Sequence, residues 1–298
     1  MVRYDVSCEQ ANLRYIQFKA LIPVTEAELV LELASWRPGR YELGNFAKNI
    51  KGLRAFNDKN ERLALRKTRK DTWKVDCEAS AYVRVEYSYF AAELNAGSSY
   101  LDEQQLYINP VNCFLYPQAT ENLGFEIQLH LPAHWEIASG LHFQDNKTVV
   151  ANFDQLADSP FICSGQIQRK SYEVNGTAFH ICFNNQKQIP WEKVLEDFKR
   201  FTQQQIADFG EFPVPEFTFL IQSVPYAAYH GVEHLNSTVI ALGPSSEVFT
   251  TLYTELLGVS SHELYHVWNV KSIRPFEMYP YNFKEENYSE AGFIYEGI

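Results

Sequence analysis

Short strand-like segments fill the first part of the chain, and no amphipathic helix interrupts them before about residue 190. Residues 15–21, 28–33, 72–75, 82–87 and 125–131 alternate apolar and polar side chains or run apolar, and turn-forming residues separate them. Aromatic residues make up 15% of the sequence and suit the pleated surface of strands. This pattern predicts an N-terminal antiparallel β-sandwich over residues 1–165.

The second part of the chain mixes strands with helices. Apolar residues at helical spacing predict one helix over residues 190–210 and another over about residues 247–270, which Ser245 or Ser246 can cap. Strand-like segments are expected at residues 166–172, 178–183, 217–221 and 238–242, with an irregular stretch at 229–234. The whole chain is therefore predicted to be α+β, with a second domain over residues 166–298.

Charge, hydropathy and cysteine content argue against several kinds of protein. The net charge is −11, whereas nucleic-acid binding needs clustered Lys and Arg. No apolar run approaches the roughly 18 residues of a membrane span. The N-terminus lacks a secretion signal, so we expect a cytoplasmic protein, or a periplasmic one if a leader was removed. The five cysteines are scattered and are expected to be buried free thiols.

The segment SSHELYHVW, inside the second predicted helix, contains two histidines four residues apart. Residues i and i+4 share one helix face, so His262 and His266 can direct two imidazole nitrogens at one metal ion. The carboxylate of Glu263 reaches the side of that point, where a general base can take a proton from metal-bound water. Zinc lowers the pKa of such water towards about 7. The pattern predicts one catalytic Zn²⁺ per chain; the alternative is a chance string on a partly buried helix.

A catalytic zinc site needs a third protein ligand, and the chain after His266 offers only carboxylates for it. The candidates are Glu277, Glu285, Glu286, Glu290 and Glu296. Glu277 follows the helix end too closely, and Glu285 and Glu286 lie in a polar loop. Glu296 falls in the apolar run 292–297, which is expected to pack against the helix. A carboxylate in such a run needs a partner, and zinc would be one.

Residues 262–275, HELYHVWNVKSIRP, closely resemble the HExxHxWNVKxIRP segment of the glycyl aminopeptidase family of gluzincin zinc metallopeptidases. Residues 292–298 are similar to the family segment that carries the third zinc ligand, which the resemblance assigns to Glu296. Residues 35–50 resemble the WxPGxY and FAxNI pattern of its N-terminal domain. We interpret Pro38 and Gly39 as a structural turn there, with the apolar residues feeding the sandwich core.

The resemblance also implies the architecture beyond these motifs. It predicts a β-sandwich followed by the first part of a thermolysin-like peptidase domain, and then a helical lobe and a PDZ domain that residues 166–298 do not contain. The chain is accordingly expected to be an N-terminal fragment. The group that stabilises the oxyanion and a carboxylate that orients a ligand histidine are expected beyond Ile298.

Residues 231–237, GVEHLNS, look like the GGxEHxxS segment of the same family, with His230 in place of its first glycine. In related aminopeptidases, a glutamate in an equivalent segment binds the free α-ammonium group of the substrate. The resemblance therefore implies that Glu233, with Gly231 beside it, binds the substrate amine. Taken alone, a glutamate in a loop would indicate only a surface residue.

Together these observations predict a zinc aminopeptidase that acts on peptides with a free amino terminus. Small N-terminal residues such as Gly or Ala are expected as substrates from the resemblance alone. Two alternatives stay open. One is a zinc endopeptidase with the same metal site, in which Glu233 anchors nothing. The other is a non-catalytic fragment that binds peptides.

Overall fold

The computed structural model of the protein describes residues 1–39, 43–77, 80–118 and 123–296. Up to residue 164 it consists mainly of strands, with two short helices and the 3-10 turns Ala11–Leu13 and Phe46–Asn49. The elements are β1 (Val2–Gln10), β2 (Tyr15–Pro23), β3 (Glu28–Glu32), β4 (Ile50–Phe56), β5 (Leu65–Arg69), β6 (Thr72–Asp76), β7 (Tyr82–Phe90), β8 (Tyr100–Leu101), β9 (Gln105–Ile108), α1 (Pro110–Cys113), β10 (Tyr116–Pro117), β11 (Phe125–His130), β12 (Glu136–Ser139), β13 (Lys147–Val150), α2 (Phe153–Ala157) and β14 (Phe161–Ser164).

These strands form three sheets around one apolar core. The largest sheet has the order β13-β11-β1-β2-β7-β4, and two four-stranded sheets have the orders β10-β3-β6-β5 and β12-β14-β9-β8. Neighbouring strands pair antiparallel, except that β1 and β11 are parallel. In β1, Val2, Tyr4 and Val6 are buried and the residues between them are exposed, as period-2 patterning predicts. The five cysteines are buried free thiols, as expected.

The second half contains a five-stranded mixed sheet and the two longest helices. Its elements are β15 (Gln168–Val174), β16 (Thr177–Asn184), α3 (Trp191–Phe209), β17 (Glu216–Ser223), β18 (Ala228–Glu233), β19 (Ser237–Gly243), α4 (Tyr253–Tyr265) and α5 (Gly292–Glu296). The sheet order is β15-β16-β17-β19-β18, with β16, β17 and β19 parallel and both edge strands antiparallel to their neighbours. The predicted α+β class with mostly antiparallel sheets is confirmed.

Both faces of the five-stranded sheet are buried. On one face, Phe217, Phe219 and Ile221 of β17 belong to the apolar cluster that includes α3 and α4. On the other face, Leu220 joins a cluster with Tyr107 and other residues of the sheet that contains β9, β12 and β14. Because neither face meets water, the central strands are almost continuously apolar. The same packing attaches the second half of the chain to the first.

Two elements differ from the sequence prediction. The helix expected over residues 247–270 begins at Tyr253 and ends at Tyr265, and no side chain caps its N-terminus. Hydrogen bonds to the carbonyls of Pro244 and Glu247 hold a series of turns before it instead. Residues 229–234, expected to be irregular, lie mostly in β18, which pairs with β19. An edge strand needs few apolar residues, so its pattern was not recognisable. No helix within the described ranges is long and apolar enough to span a membrane.

The segment that begins at Ser35 does more than complete the sandwich. Phe46 joins the sandwich core as expected, but Trp36 packs with Val270, Met278 and Tyr295 of the second half. The backbone N–H groups of Ser35 and Trp36 also donate to the carbonyl of Phe283, at 2.7 and 3.0 Å. The interpretation of the apolar residues of this segment as sandwich core is therefore corrected for Trp36. Arg40 and Tyr41, part of the same motif, and Gly297 of the last motif lie outside the described residues.

Replacing Trp36 by alanine tests this packing. Trp36 is fully buried, so we expect the free energy of unfolding to fall by about 3–5 kcal/mol, measured by chemical denaturation. Hydrogen exchange should accelerate around Met278, Tyr281 and Tyr295, which pack on the indole. Trp36→Phe should be milder, and Leu13→Ala, at a side chain that is 56% exposed, should change stability by less than about 0.5 kcal/mol. Wild-type stability of Trp36→Ala would contradict the assignment.

Candidate metal centre

Three predicted ligands come together at the C-terminal end of α4. His262 and His266 lie on one face of this helix, with their Nε2 atoms 2.9 Å apart. The short helix α5 brings Glu296 to them, with its Oε2 atom 3.5 Å from His262 Nε2 and 3.7 Å from His266 Nε2. Each of the three residues offers one potential ligand atom, and these three atoms all lie within 4.8 Å of one another. Within the described ranges, they form the group of His, Cys, Asp or Glu side chains that meets this distance.

The geometry of this cluster fits a tetrahedral metal ion. Bonds of about 2.0–2.1 Å at tetrahedral angles separate ligand atoms by about 3.3 Å, and the observed separations run from 2.9 to 3.7 Å. His266 Nδ1 donates to the carbonyl oxygen of Asn269 at 3.0 Å, which leaves the Nε2 lone pair for a metal. His266 is buried, whereas the side chains of His262 and Glu296 are 35% and 45% exposed, so the cluster is open to solvent on one side.

Glu263 lies beside the cluster with its carboxylate against a neighbouring strand. The side chain is buried, and its Oε2 atom has no hydrogen-bond partner among the described residues. A Cβ atom at Gly231 in β18 would overlap the Glu263 carboxyl group, so only glycine lets the strand approach this closely. The structure thus brings Gly231 next to Glu263, whereas the sequence associated it with Glu233 alone.

Negative charge accumulates around Glu263. Burial and the nearby carboxylates of Glu233 and Glu296 raise the pKa of its carboxyl group well above the usual range. The guanidinium of Arg37 opposes this shift but does not reverse it. A divalent cation bound by the three ligand atoms would offset this excess negative charge. The electrostatics of the site therefore agree with the ligand geometry.

Glu233 lies at the end of β18, in contact with the first half of the chain. It is buried, and the loop residue Gly39 approaches its carboxylate so closely that a Cβ atom there would overlap it. Gly39 also has a φ of +79°, which favours glycine. The turn at Pro38 and Gly39 is therefore not only structural within the sandwich, because its backbone forms one wall of the Glu233 site.

A cavity of about 290 Å³ adjoins Glu233 at the junction of the two halves. Arg37, Asn109 and Asp158 line it from the first half, and His234 and Lys271 from the second. The residues that line it do not include the three candidate metal ligands. This cavity therefore lies on the Glu233 side rather than above the metal cluster.

Sequence reasoning missed three charged residues near the site, namely Arg37 and Lys271, which are buried, and Asp158, whose side chain is 25% exposed. Arg37 and Lys271 lie in segments that were recognised by resemblance only, and Asp158 was not singled out. A signal was present, because Lys271 and Asp158 both adjoin apolar residues, and a charge in such a context needs a partner. The sequence could not say which partner, because Asp158 and Lys271 are 113 positions apart.

The chain is similar to known proteins in both sequence and structure. Residues 3–165 match the sequence profile of the Peptidase M61 N-terminal domain, and residues 255–298 match that of M61 glycyl aminopeptidase. The chain is also similar to the crystal structure of an aminopeptidase N family protein from Idiomarina loihiensis, with a TM-score of 0.89 and 26% identity over 100% of this chain and 52% of that one. The chain thus spans about half the length of this relative.

A weaker similarity is to an M1 zinc metallopeptidase from Deinococcus radiodurans, with a TM-score of 0.48 and 12% identity over 90% of this chain and 62% of that one. No curated protein sequence matches the chain. The M61 N-terminal profile covers more than half of the chain, and the M61 peptidase profile covers the segment with both histidines and Glu296. The chain therefore belongs to the M61 glycyl aminopeptidase family.

Proposed function

We propose that this chain carries the metal site and the amine-binding site of a zinc aminopeptidase. The observation that supports this most strongly is the convergence of His262, His266 and Glu296 beside the buried carboxylate of Glu263. Two histidines and a carboxylate are a donor set that zinc peptidases use, with one further position for water or substrate. When bound, zinc would act as a Lewis acid that makes water nucleophilic near neutral pH and polarises the scissile carbonyl.

Glu263 is the proposed general base and proton carrier. Its carboxylate takes a proton from the attacking water and delivers it to the leaving amine. Its free Oε2 atom is suited to this, since no donor among the described residues occupies it. Burial keeps the group away from bulk water, so that protons exchange with the substrate rather than with solvent.

Glu233 is the proposed anchor for the substrate ammonium. Its carboxylate is buried beside a cavity, where an ion pair with an ammonium is stronger than in water. Within the described ranges β18 pairs only with β19, so its other edge can hydrogen-bond to an extended peptide. A peptide held by its amino end at Glu233 would lie along this edge with its first carbonyl near the metal ligands. The family description supports small N-terminal residues such as glycine as substrates.

The metal and the base are tested together in the intact protein. We expect about one zinc per chain by elemental analysis, and its loss in His262→Ala, His266→Ala or Glu296→Ala. Glu263→Gln should retain the zinc yet lower kcat by at least about 10²-fold, because it cannot accept a proton. A Glu263→Gln protein with wild-type activity would refute the role of Glu263. Absence of zinc from the wild type under mild purification would favour a non-catalytic, peptide-binding role.

The amine anchor is tested with Glu233→Gln and paired substrates. Removing the charge should lower kcat/KM for a peptide with a free amino terminus by about 10- to 100-fold, since a hydrogen bond to a charged group contributes about 1.5–3 kcal/mol. The amino-acetylated peptide should be cleaved poorly by the wild type and no worse by the variant. Equal cleavage of free and acetylated peptides by the wild type would instead indicate an endopeptidase.

Glycine is required at position 231 because of the contact with Glu263. Gly231→Ala should displace the Glu263 carboxylate and lower kcat by roughly 10²-fold with zinc still bound, because small displacements of a catalytic group are costly. Gly258→Ala in α4 is a matched control, because a Cβ there would have only the Tyr229 hydroxyl near it, at 3.8 Å. Similar kcat values for the two variants would show that the contact is unimportant.

A further inference from the structure

Asp158 connects three segments that come from both halves of the chain. It directly follows α2, and its Oδ1 atom lies 2.7 Å from Lys271 Nζ and 3.1 Å from His234 Nδ1. Its Oδ2 atom accepts the backbone N–H of Leu235 at 2.9 Å. Lys271 and His234 are 2% and 4% exposed, and the Asp158 side chain that joins them is 25% exposed. This burial distinguishes the cluster from a surface ion pair, which would contribute little.

The protonation states make Asp158 the acceptor in all three contacts. Burial opposes ionisation of Asp158, but Lys271 and His234 outweigh it and hold its pKa below the usual range. Burial also lowers the pKa of His234, so the ring is neutral near pH 7. An ionised carboxylate can only accept, and therefore the neutral ring carries its proton on Nδ1. Burial disfavours the Lys271 ammonium as well, yet Asp158 raises its pKa overall.

Two of the three donors directly follow Glu233 in the chain. The ladder between β18 and β19 ends at the pair Glu233 and Thr238. Beyond it, the chain is held by the hydrogen bonds from His234 N–H to Ser237 O, at 3.0 Å, and from Thr218 N–H to Asn236 O, at 3.1 Å, and by Asp158. An edge strand that is held from one side opens more readily than a central one. The contacts with Asp158 restrain β18 at the end where the Glu233 carboxylate must stay in place.

We propose that Asp158 is a positioning residue for substrate binding: it fixes the end of β18 and so holds the Glu233 carboxylate where the substrate ammonium arrives. The inference rests on the proposed amine-anchoring role of Glu233. Lys271 has a different part, as the charge partner of Asp158. Because Asp158 belongs to the first half of the chain, that half takes part in selecting substrates with a free amino terminus.

The test uses two variants that break the same ion pair from opposite sides, in the intact, zinc-loaded protein. Asp158→Asn offers one acceptor oxygen to three donors, whereas Lys271→Met leaves Asp158 to accept from His234 and Leu235. Each is assayed with a free peptide and its amino-acetylated analogue. The ratio of their kcat/KM values should fall about tenfold or more in Asp158→Asn, mainly through KM for the free peptide, and stay within about twofold in Lys271→Met.

A double variant guards against a folding defect. Asp158→Asn leaves a buried ammonium without a charge partner and can unfold the protein for that reason. Asp158→Asn combined with Lys271→Met removes both charges, and we expect it to fold, bind zinc and show the same fall in the ratio. A wild-type ratio in the double variant overturns the proposal, because a purely structural role would affect both substrates alike. An equal fall of the ratio in Lys271→Met also overturns it, because that variant keeps the contacts of Asp158 with His234 and Leu235.

Hydrogen exchange separates this inference from the role of Glu233. The backbone amides of residues 233–236 should exchange about tenfold faster in Asp158→Asn than in the wild type or Lys271→Met, whatever Glu233 binds. Wild-type exchange rates at these amides in Asp158→Asn overturn the positioning role. If the kcat/KM ratio of free to acetylated peptide is unchanged in Glu233→Gln, the amine-anchoring role of Glu233 is refuted. Faster exchange in Asp158→Asn would still show that Asp158 restrains β18.

Discussion

Repulsion among carboxylates is the constraint around which this site is built. Glu233, Glu263 and Glu296 reach the same region from β18, α4 and α5, and the first and last of them raise the pKa of Glu263. Like charges in a poorly solvated place are unfavourable unless positive charge is near. Arg37 supplies part of it, and the zinc ion that we propose would supply more. In the zinc-bound site that we propose, this balance would let a carboxylate with an unpaired oxygen remain buried and accept a proton.

Close approach of the backbone shapes the two ends of the site. Gly231 brings an edge strand against Glu263, and Gly39 brings a loop of the first half against Glu233. Any Cβ atom at either position would overlap a carboxylate, so the two glycines set how closely the walls enclose the acids. Both carboxylates are buried, and burial strengthens their electrostatic interactions.

Local patterns predicted the parts of this fold that depend on neighbouring residues. Helix α3 runs from Trp191 to Phe209, almost as its apolar spacing indicated, and the i, i+4 histidines do share a face of α4. Glu296 was chosen for a reason that the structure does not support. Tyr295 is buried, but Phe293 and Ile294 are 75% and 46% exposed, so most of the apolar run lies at the surface. The position of α5, not burial of the run, brings Glu296 to the histidines, and that position depends on tertiary packing.

Contacts between the halves explain what the sequence could not provide. A buried sheet face, formed by Leu220, Val232 and Val239, is covered by the sheet that contains β9, β12 and β14. Separation of the halves near residue 165 would expose this face to water, remove Gly39 from Glu233 and break the contact of Asp158 with Leu235. Such contacts leave no periodic trace, because each partner looks like an ordinary core or turn residue in its own segment. The sheets divide at that point, but the proposed amine end of the site is built by residues from both sides.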